Sequence, residues 1–236
     1  MKHLDFTIDF ETVGLTGNSA PMTVAVVPWT RSGKLNPWIP ASYGNPLYKG
    51  IDLRTCVIDG FDFAPDTLKW WAAQSEPVKE SVVQCDAKPL ADVLYSIQEY
   101  INGFKENLGV NSVCLWAQGP DVDIAILRTI CQKYDVPLED IVAHTQFRDC
   151  RTLILEAALI EAERSGEGTG TKTNSIALPH QVMKDPSLAY KIFDPLPSVL
   201  PDNIKCYGRL KHDALYDAVR STWYTWQALK VIRGQK

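Results

Sequence analysis

The sequence predicts an α/β fold in which one central sheet is covered by helices on both faces. Two patterns and their order predict it. An alternating run, Leu4 to Phe10 (LDFTIDF), and a β-branched run, Thr23 to Trp29, both read as strands. Further along, apolar residues share one helical face over Pro89 to Leu108: Leu90, Val93, Leu94, Ile97, Ile101 and Phe104. Strands first, then a strand alternating with helices, is the order of a covered sheet.

Taken in order, the first strand reaches the second by a loop around Gly14–Pro21. Arg31 to Tyr48 is rich in Pro, Gly, Ser and Asn and reads as a loop, and Lys49 to Leu53 as a short third strand. Thr67 to Gln74 (TLKWWAAQ) reads as a short helix. The long helix follows, with Pro89 suited to its first turn and Gly109 to its stop. Ser112 to Trp116 (SVCLW) reads as a buried strand, and Asp121 to Tyr134 and Cys150 to Glu163 as helices. Ser165 to Asn174 is a polar loop, and five prolines follow between Pro179 and Pro201. Residues 165–209 are therefore expected to be irregular or only locally structured, as functional or disordered insertions are. A final helix runs from Asp213 to about Ile232, with Leu215, Ala218, Val219, Thr222, Trp226 and Leu229 on one face.

A chain of 236 residues suits one domain, 1–236, carrying that irregular insertion. With 45% apolar and 22% charged residues, disorder is not the dominant state. The balance of 24 Lys plus Arg against 28 Asp plus Glu excludes a generic basic coat for nucleic acid. It leaves room for a nucleic-acid enzyme, because a local basic groove can sit beside an acidic, metal-loaded site. The longest uncharged run, Thr12 to Thr30, is broken by Gly and Pro and is no membrane span. The opening MKHLDFTIDFE has acids and no apolar core, so it does not read as a signal peptide. The six cysteines form no CxxC pair and read as small buried hydrophobes of a reducing compartment, here the cytoplasm.

Asp9 and Glu11 lie two apart on the first strand and so share a face. Between Ile8 and Phe10, two buried carboxylates would repel and desolvate each other. A divalent cation removes that penalty, since hard cations bind carboxylate oxygens. A solvated sheet edge is the plainer account of this pair alone. Asp123 (in GPDVDIAIL), just after a buried strand, and Asp217 (in HDALYDA), in the first turns of the last helix, weigh against it, because a strand end and two helix starts can converge on one cavity. His212 lies five residues before Asp217. Asp213 reads as a helix cap rather than a metal ligand. Trp70 and Trp71 point about 100° apart on a helix. Core packing suits both, though one could stack on a terminal base. Lys205, Arg209 and Lys211 could meet phosphate or form a solvated face. Arg148 and Arg151 flank Asp149 and could pair with it. His3, His144 and His180 read as structural or surface residues.

The arrangement resembles the DEDD superfamily of 3′-to-5′ exonucleases, of ribonuclease H-like fold, and within it the DEDDh branch. The motifs are Asp9-Phe10-Glu11, Asp123, and His212 to Asp217. The tyrosine branch does not fit, since Asp213 stands four residues before Asp217. IDFET (Ile8 to Thr12), Thr67 to Ser75, DVDIAIL (Asp121 to Leu127) and RDCRTL (Arg148 to Leu153) further resemble the phage DexA-type exonucleases. The resemblance implies two divalent cations, Mg²⁺ or Mn²⁺, held by Asp9, Glu11, Asp123 and Asp217. It implies His212 as general base, with Thr12, Trp70, Trp71 and Arg151 as candidate substrate contacts. The expected partner is a single-stranded nucleic-acid 3′ end, with DNA favoured and RNA the alternative. No membrane is expected as a partner. Related exonucleases often pair, so a homodimer is an expectation of the resemblance. A catalytically silent nucleic-acid-binding module on the same fold, or a structural protein with surface acids, are the competing classes.

Overall fold

Alternation along the first strand sets the architecture. The structure, a computed structural model, describes residues 4–83, 86–166, 179–204 and 211–235, the side chains at 165 and 166 excepted. Strand β1 (Leu4–Thr12) sends Leu4, Phe6, Ile8 and Phe10 into one apolar cluster. Its alternate positions, Asp5, Thr7, Asp9 and Glu11, face the other side. Strand β2 (Pro21–Trp29) pairs antiparallel with β1 and alternates likewise, Val24 and Val26 going one way, Ala25, Val27 and Trp29 the other. Strands β3 (Leu47–Gly50), β4 (Val113–Ala117) and β5 (Phe147–Asp149) complete a mixed sheet of order β3-β2-β1-β4-β5. The β1–β4 and β4–β5 pairs are parallel.

Helices cover both faces, as expected. On the side of Phe6 and Ile8 lie α1 (Leu53–Ile58), α2 (Pro65–Ala72), α3 (Glu76–Val82), α4 (Leu90–Leu108) and α5 (Asp123–Lys133). The other side carries α6 (Cys150–Gly166), α7 (Pro179–Lys184), α8 (Ala189–Ile192) and α9 (Ala214–Ile232). The six apolar positions expected on α4 are all buried, and Gly109 ends it at φ 61°, a left-handed C-cap that glycine adopts without strain.

Some expectations need correction. The third strand falls at Leu47–Gly50 rather than Lys49–Leu53, because Asp52 caps α1, accepting from the Arg54 backbone N–H. Helices α1 and α3 and the three-residue β5 are too short for periodicity to show them. Pro89 sits at the N-cap of α4, one position before the first turn. Within 165–209, the described residues 179–204 hold α7, α8 and two 3₁₀ turns; 167–178 and 205–210 lie outside the described residues. The stripe expected on α9 is too narrow: Ser221, Trp223, Tyr224 and Thr225 are buried too, while Leu215 is only partly so. The helix is enclosed by β1 and β2 on one side and by α6 on the other. Among the described residues no helix is long and apolar enough to cross a membrane.

The polar face of β1 lies under α9, and its first two members find partners. Asp5 is fully buried and forms an ion pair with Arg31, whose Nε lies 2.8 Å from Oδ2; Oδ1 accepts from Trp116 Nε1 at 2.7 Å. The Thr7 and Thr222 hydroxyls bond across to each other at 2.8 Å. Replacing Asp5 strands a guanidinium and an indole N–H. Asp5→Ala should lower the free energy of unfolding by about 3 kcal/mol, the scale of a broken buried pair. Urea titration checks it: the midpoint falls with an unchanged slope.

Candidate active site

The other two polar positions of β1 meet two helix starts. Asp9 and Glu11 lie at the C-terminal end of β1, Asp123 in the first turn of α5, and Asp217 in the first turn of α9. All four line one cavity of about 620 Å³. His212, Thr12, Trp70, Trp71 and Arg151 line it as well. The structure therefore brings every candidate residue to one place.

Local bonds set each group. Asp123 Oδ1 accepts from the Phe10 backbone N–H at 3.0 Å, tying α5 to β1 between the two strand carboxylates. Asp213 caps α9, accepting from Tyr216 N at 2.9 Å, and takes a second bond from the Tyr48 hydroxyl at 2.7 Å. The residue before it, His212, is left-handed at φ 68°. That conformation is strained for a histidine. The Asp217 carboxylate supports it, accepting from the His212 backbone N–H at 2.9 Å. The His212 ring lies edge-on to Trp70, centroids 4.8 Å apart at 90°. The two tryptophans divide their work. Trp71 is buried and donates to the Thr12 carbonyl at 2.8 Å; Trp70 is 42% exposed. Core packing thus holds for Trp71 and not for Trp70.

The electrostatics are those of a site lacking a counter-charge. Burial holds Asp9 well above the usual carboxylate range, and Asp123, Glu11 and Asp217 push it the same way. Burial and then Asp217 raise Glu11 to about 9. Burial raises Asp123 to about 7, against the Phe10 N–H and the nearby Arg151 charge. Asp217 is raised by burial, opposed by the His212 N–H and Arg220. Among the described residues, neither Asp9 nor Glu11 accepts a hydrogen bond or joins an ion pair. Nor do any three His, Cys, Asp or Glu there stand as a ready set of ligands. Gathered carboxylates are relieved either by taking up protons, as these raised values describe, or by a cation between them. The donors nevertheless fit a hard divalent cation: four carboxylates on one cavity, two with no other partner.

Comparison with known proteins agrees with this geometry. Residues 4–185 match the profile of the 3′-5′ exoribonuclease Rv2179c-like domain. The chain belongs to this family. The match spans Asp9, Glu11, Asp123 and Arg151 and stops before His212 and Asp217. A search of curated proteins finds no match. Among solved structures, the zinc-bound Escherichia coli exonuclease I–single-stranded DNA complex is similar at 14% identity and TM-score 0.50, over 99% of this chain and 41% of that one. Exonuclease I of Methylocaldum szegediense is similar at 14% identity and TM-score 0.50, over 98% and 41%. The chain thus spans about two fifths of these proteins, and the likeness shows the ribonuclease H-like fold that the family shares. No finding bears on the DexA-type resemblance.

Several cavity residues carry no motif signal. Gln118 and Arg220 line it beside the acids, as does Lys211, which the sequence offered as a phosphate contact. Arg220 stands three residues after Asp217 and could be found only by extending that helical face. The pairing of Arg148 and Arg151 with Asp149 is not what forms. Asp149 accepts from the Arg151 backbone N–H at 2.9 Å, while the Arg151 guanidinium turns to the Gln118 carbonyl and Arg148 to the carbonyls of Thr145 and Phe147. Lys205, Arg209 and His3 lie outside the described residues; His144 and His180 are exposed.

The raised carboxylates give a signed prediction. Their folded values lie above unfolded values near 4. Their contribution to stability is present below about pH 4 and is lost as pH rises through about 7 for Asp123 and about 9 for Glu11. In chelator at pH 8, Glu11→Gln should melt higher than the parent, and the gap should close towards pH 4. Mn²⁺ should stabilise the parent more than the variant. Thermal melts across pH, with and without Mn²⁺, check both; a variant that melts lower than the parent at pH 8 in chelator would contradict the assignment.

Proposed function

We propose that this protein is a 3′-to-5′ exonuclease that uses divalent cations to hydrolyse single-stranded nucleic acid to nucleoside 5′-monophosphates. The observation that carries the reading is the cavity where four carboxylates, two buried and two partly buried, from a strand end and two helix starts meet one histidine. Membership of a family described as exoribonuclease supports it. That description favours RNA, the alternative left open by the sequence, over the DNA that the phage resemblance favours. The reading takes 1–236 as one exonuclease domain.

Asp9, Glu11, Asp123 and Asp217 would hold the cations, Mg²⁺ or Mn²⁺. Bound there, two such ions would neutralise charge on the phosphate and acidify an attacking water. The chain's own groups do the rest. A ring nitrogen of His212 would take the proton of that water. It must be neutral to do so, and burial lowers its pKa, with Asp217 opposing and Lys211 assisting. Asp217 holds His212 through its backbone N–H, and Trp70 meets the imidazole in an edge-on ring contact. Trp70, half exposed beside Thr12 and Trp71, offers a face on which a terminal base can stack.

The test is incubation of 3′- and 5′-labelled RNA and DNA oligomers with Mg²⁺ or Mn²⁺. Mononucleotides should leave from the 3′ end, and a 3′-phosphate should block attack. Cleavage of a circular substrate would overturn the reading. Asp9→Ala should abolish hydrolysis. His212→Ala should retain Mn²⁺ binding by calorimetry yet lose roughly 10²–10⁴-fold in rate, the range for a lost general base. Lost metal binding in that variant would make His212 a ligand instead.

A further inference from the structure

Two guanidinium groups share the cavity with the carboxylates. Arg151 and Arg220 both line it, and among the described residues neither forms an ion pair with a carboxylate. Arg151 donates from Nη2 to the Gln118 carbonyl at 3.2 Å. Arg220 lies over the Tyr190 ring at 4.9 Å and the Tyr224 ring at 5.6 Å. Ring faces hold a guanidinium in place without using its five N–H donors, and among the described residues only the Tyr224 hydroxyl draws on those of Arg220. Both groups are thus anchored while most of their donors are left for an oxyanion, which a guanidinium fork fits with two parallel bonds.

The surroundings fix them from the cavity's back wall. Gly119 stands at φ 98°, and a Cβ there would come within 3.1 Å of the Arg151 guanidinium. Gln118 is held at both ends of its amide: Nε2 donates to the Tyr190 hydroxyl at 2.8 Å, and Oε1 accepts from Ser221 at 2.6 Å. Tyr190 belongs to α8, within the irregular insertion and beyond the residues matched by the family profile. One tyrosine therefore touches the platform of Arg220 and the amide of Gln118, whose carbonyl receives Arg151.

Resting on the exonuclease reading of the cavity, we propose that Arg151 and Arg220 form a clamp for the substrate phosphate next to the scissile one, with Tyr190 as its positioning residue. Arg220 follows Asp217 by three residues on α9, about one helical turn, roughly 5 Å along the axis. The phosphate it meets is accordingly the neighbour of the one on the acids. The insertion is then the part of the chain that completes the grip on the strand.

Oligonucleotides carrying one neutral methylphosphonate at the linkage next to the scissile one test this. In the parent, that linkage should raise KM. Arg220→Ala should raise KM on the ordinary strand about tenfold, lose sensitivity to the methylphosphonate, and reduce the slope of log KM against log salt by about 0.7, one contact with a single strand. Arg220→Lys, keeping charge without the fork, should restore most of the slope. Tyr190→Leu should raise KM with kcat little changed, and Tyr190→Phe, which keeps the ring, should do so less. A p-nitrophenyl ester of a nucleoside 5′-monophosphate has no neighbouring phosphate, so Arg220→Ala should lose much less on it than on the ordinary strand. Undiminished methylphosphonate sensitivity in Arg220→Ala overturns the clamp, and an equal loss on the ester moves Arg220 to the scissile phosphate. A parent that hydrolyses neither substrate overturns the exonuclease reading itself.

Discussion

The polar face of β1 is the constraint on which the rest depends. A strand with period two must send Asp5, Thr7, Asp9 and Glu11 to one side, and α9 lies over that side. Burying four polar groups in a row is unfavourable unless each is answered. Asp5 is answered by Arg31 and Trp116, and Thr7 by Thr222. Asp9 and Glu11 are answered by nothing among the described residues, and more acids arrive from α5 and α9. The first half of the strand face is thus structural. The second half is left with carboxyl groups that burial and mutual repulsion hold towards their protonated forms.

The helix that covers this face has an unusual burden, and its sequence reflects it. α9 meets the sheet on one side and α6 on the other, so it has little solvent-facing surface. Several of its buried polar groups make their own bonds: Thr222 to Thr7, Ser221 to Gln118, Trp223 to the Asp194 carbonyl. Charge is concentrated at its start. There Asp213 caps the helix, Asp217 holds the left-handed His212 backbone, and Arg220 lies against Tyr190 and Tyr224. Thus about two turns of helix carry the cap, the acid that supports the histidine, and a cation.

Much of this was legible in the residues. α4 and the first two strands were plain because each has enough residues for a period to repeat. The acids and His212 were legible because their spacing forms a joint pattern, although each alone is weak. What was not legible depends on contacts far apart in the chain. Asp5 looks like another member of the acidic face until Arg31, from a loop, pairs with it. Arg220 looks like a solvated helix charge until two tyrosines enclose it. Asp149 looks like a partner for the arginines beside it, but its carboxylate serves the start of α6. Short elements such as α3 and β5 have no room for a period, and tertiary packing alone makes them.

The insertion follows the same logic. Proline spacing in 179–204 excludes long helices, yet the described residues form α8 and place Tyr190 against Arg220 and Gln118. A four-residue helix cannot hold itself, since its backbone bonds are too few to repay nucleation. Packing on α6 and the Tyr190 contacts must therefore supply its order. That dependence runs both ways. Arg220 lines the cavity beside Asp217, and without a support of its own it could close onto that carboxylate. The tyrosine faces hold it back from the acids without neutralising it. A segment that reads as irregular in sequence thus supplies a ring face that keeps cation and carboxylate apart within one cavity.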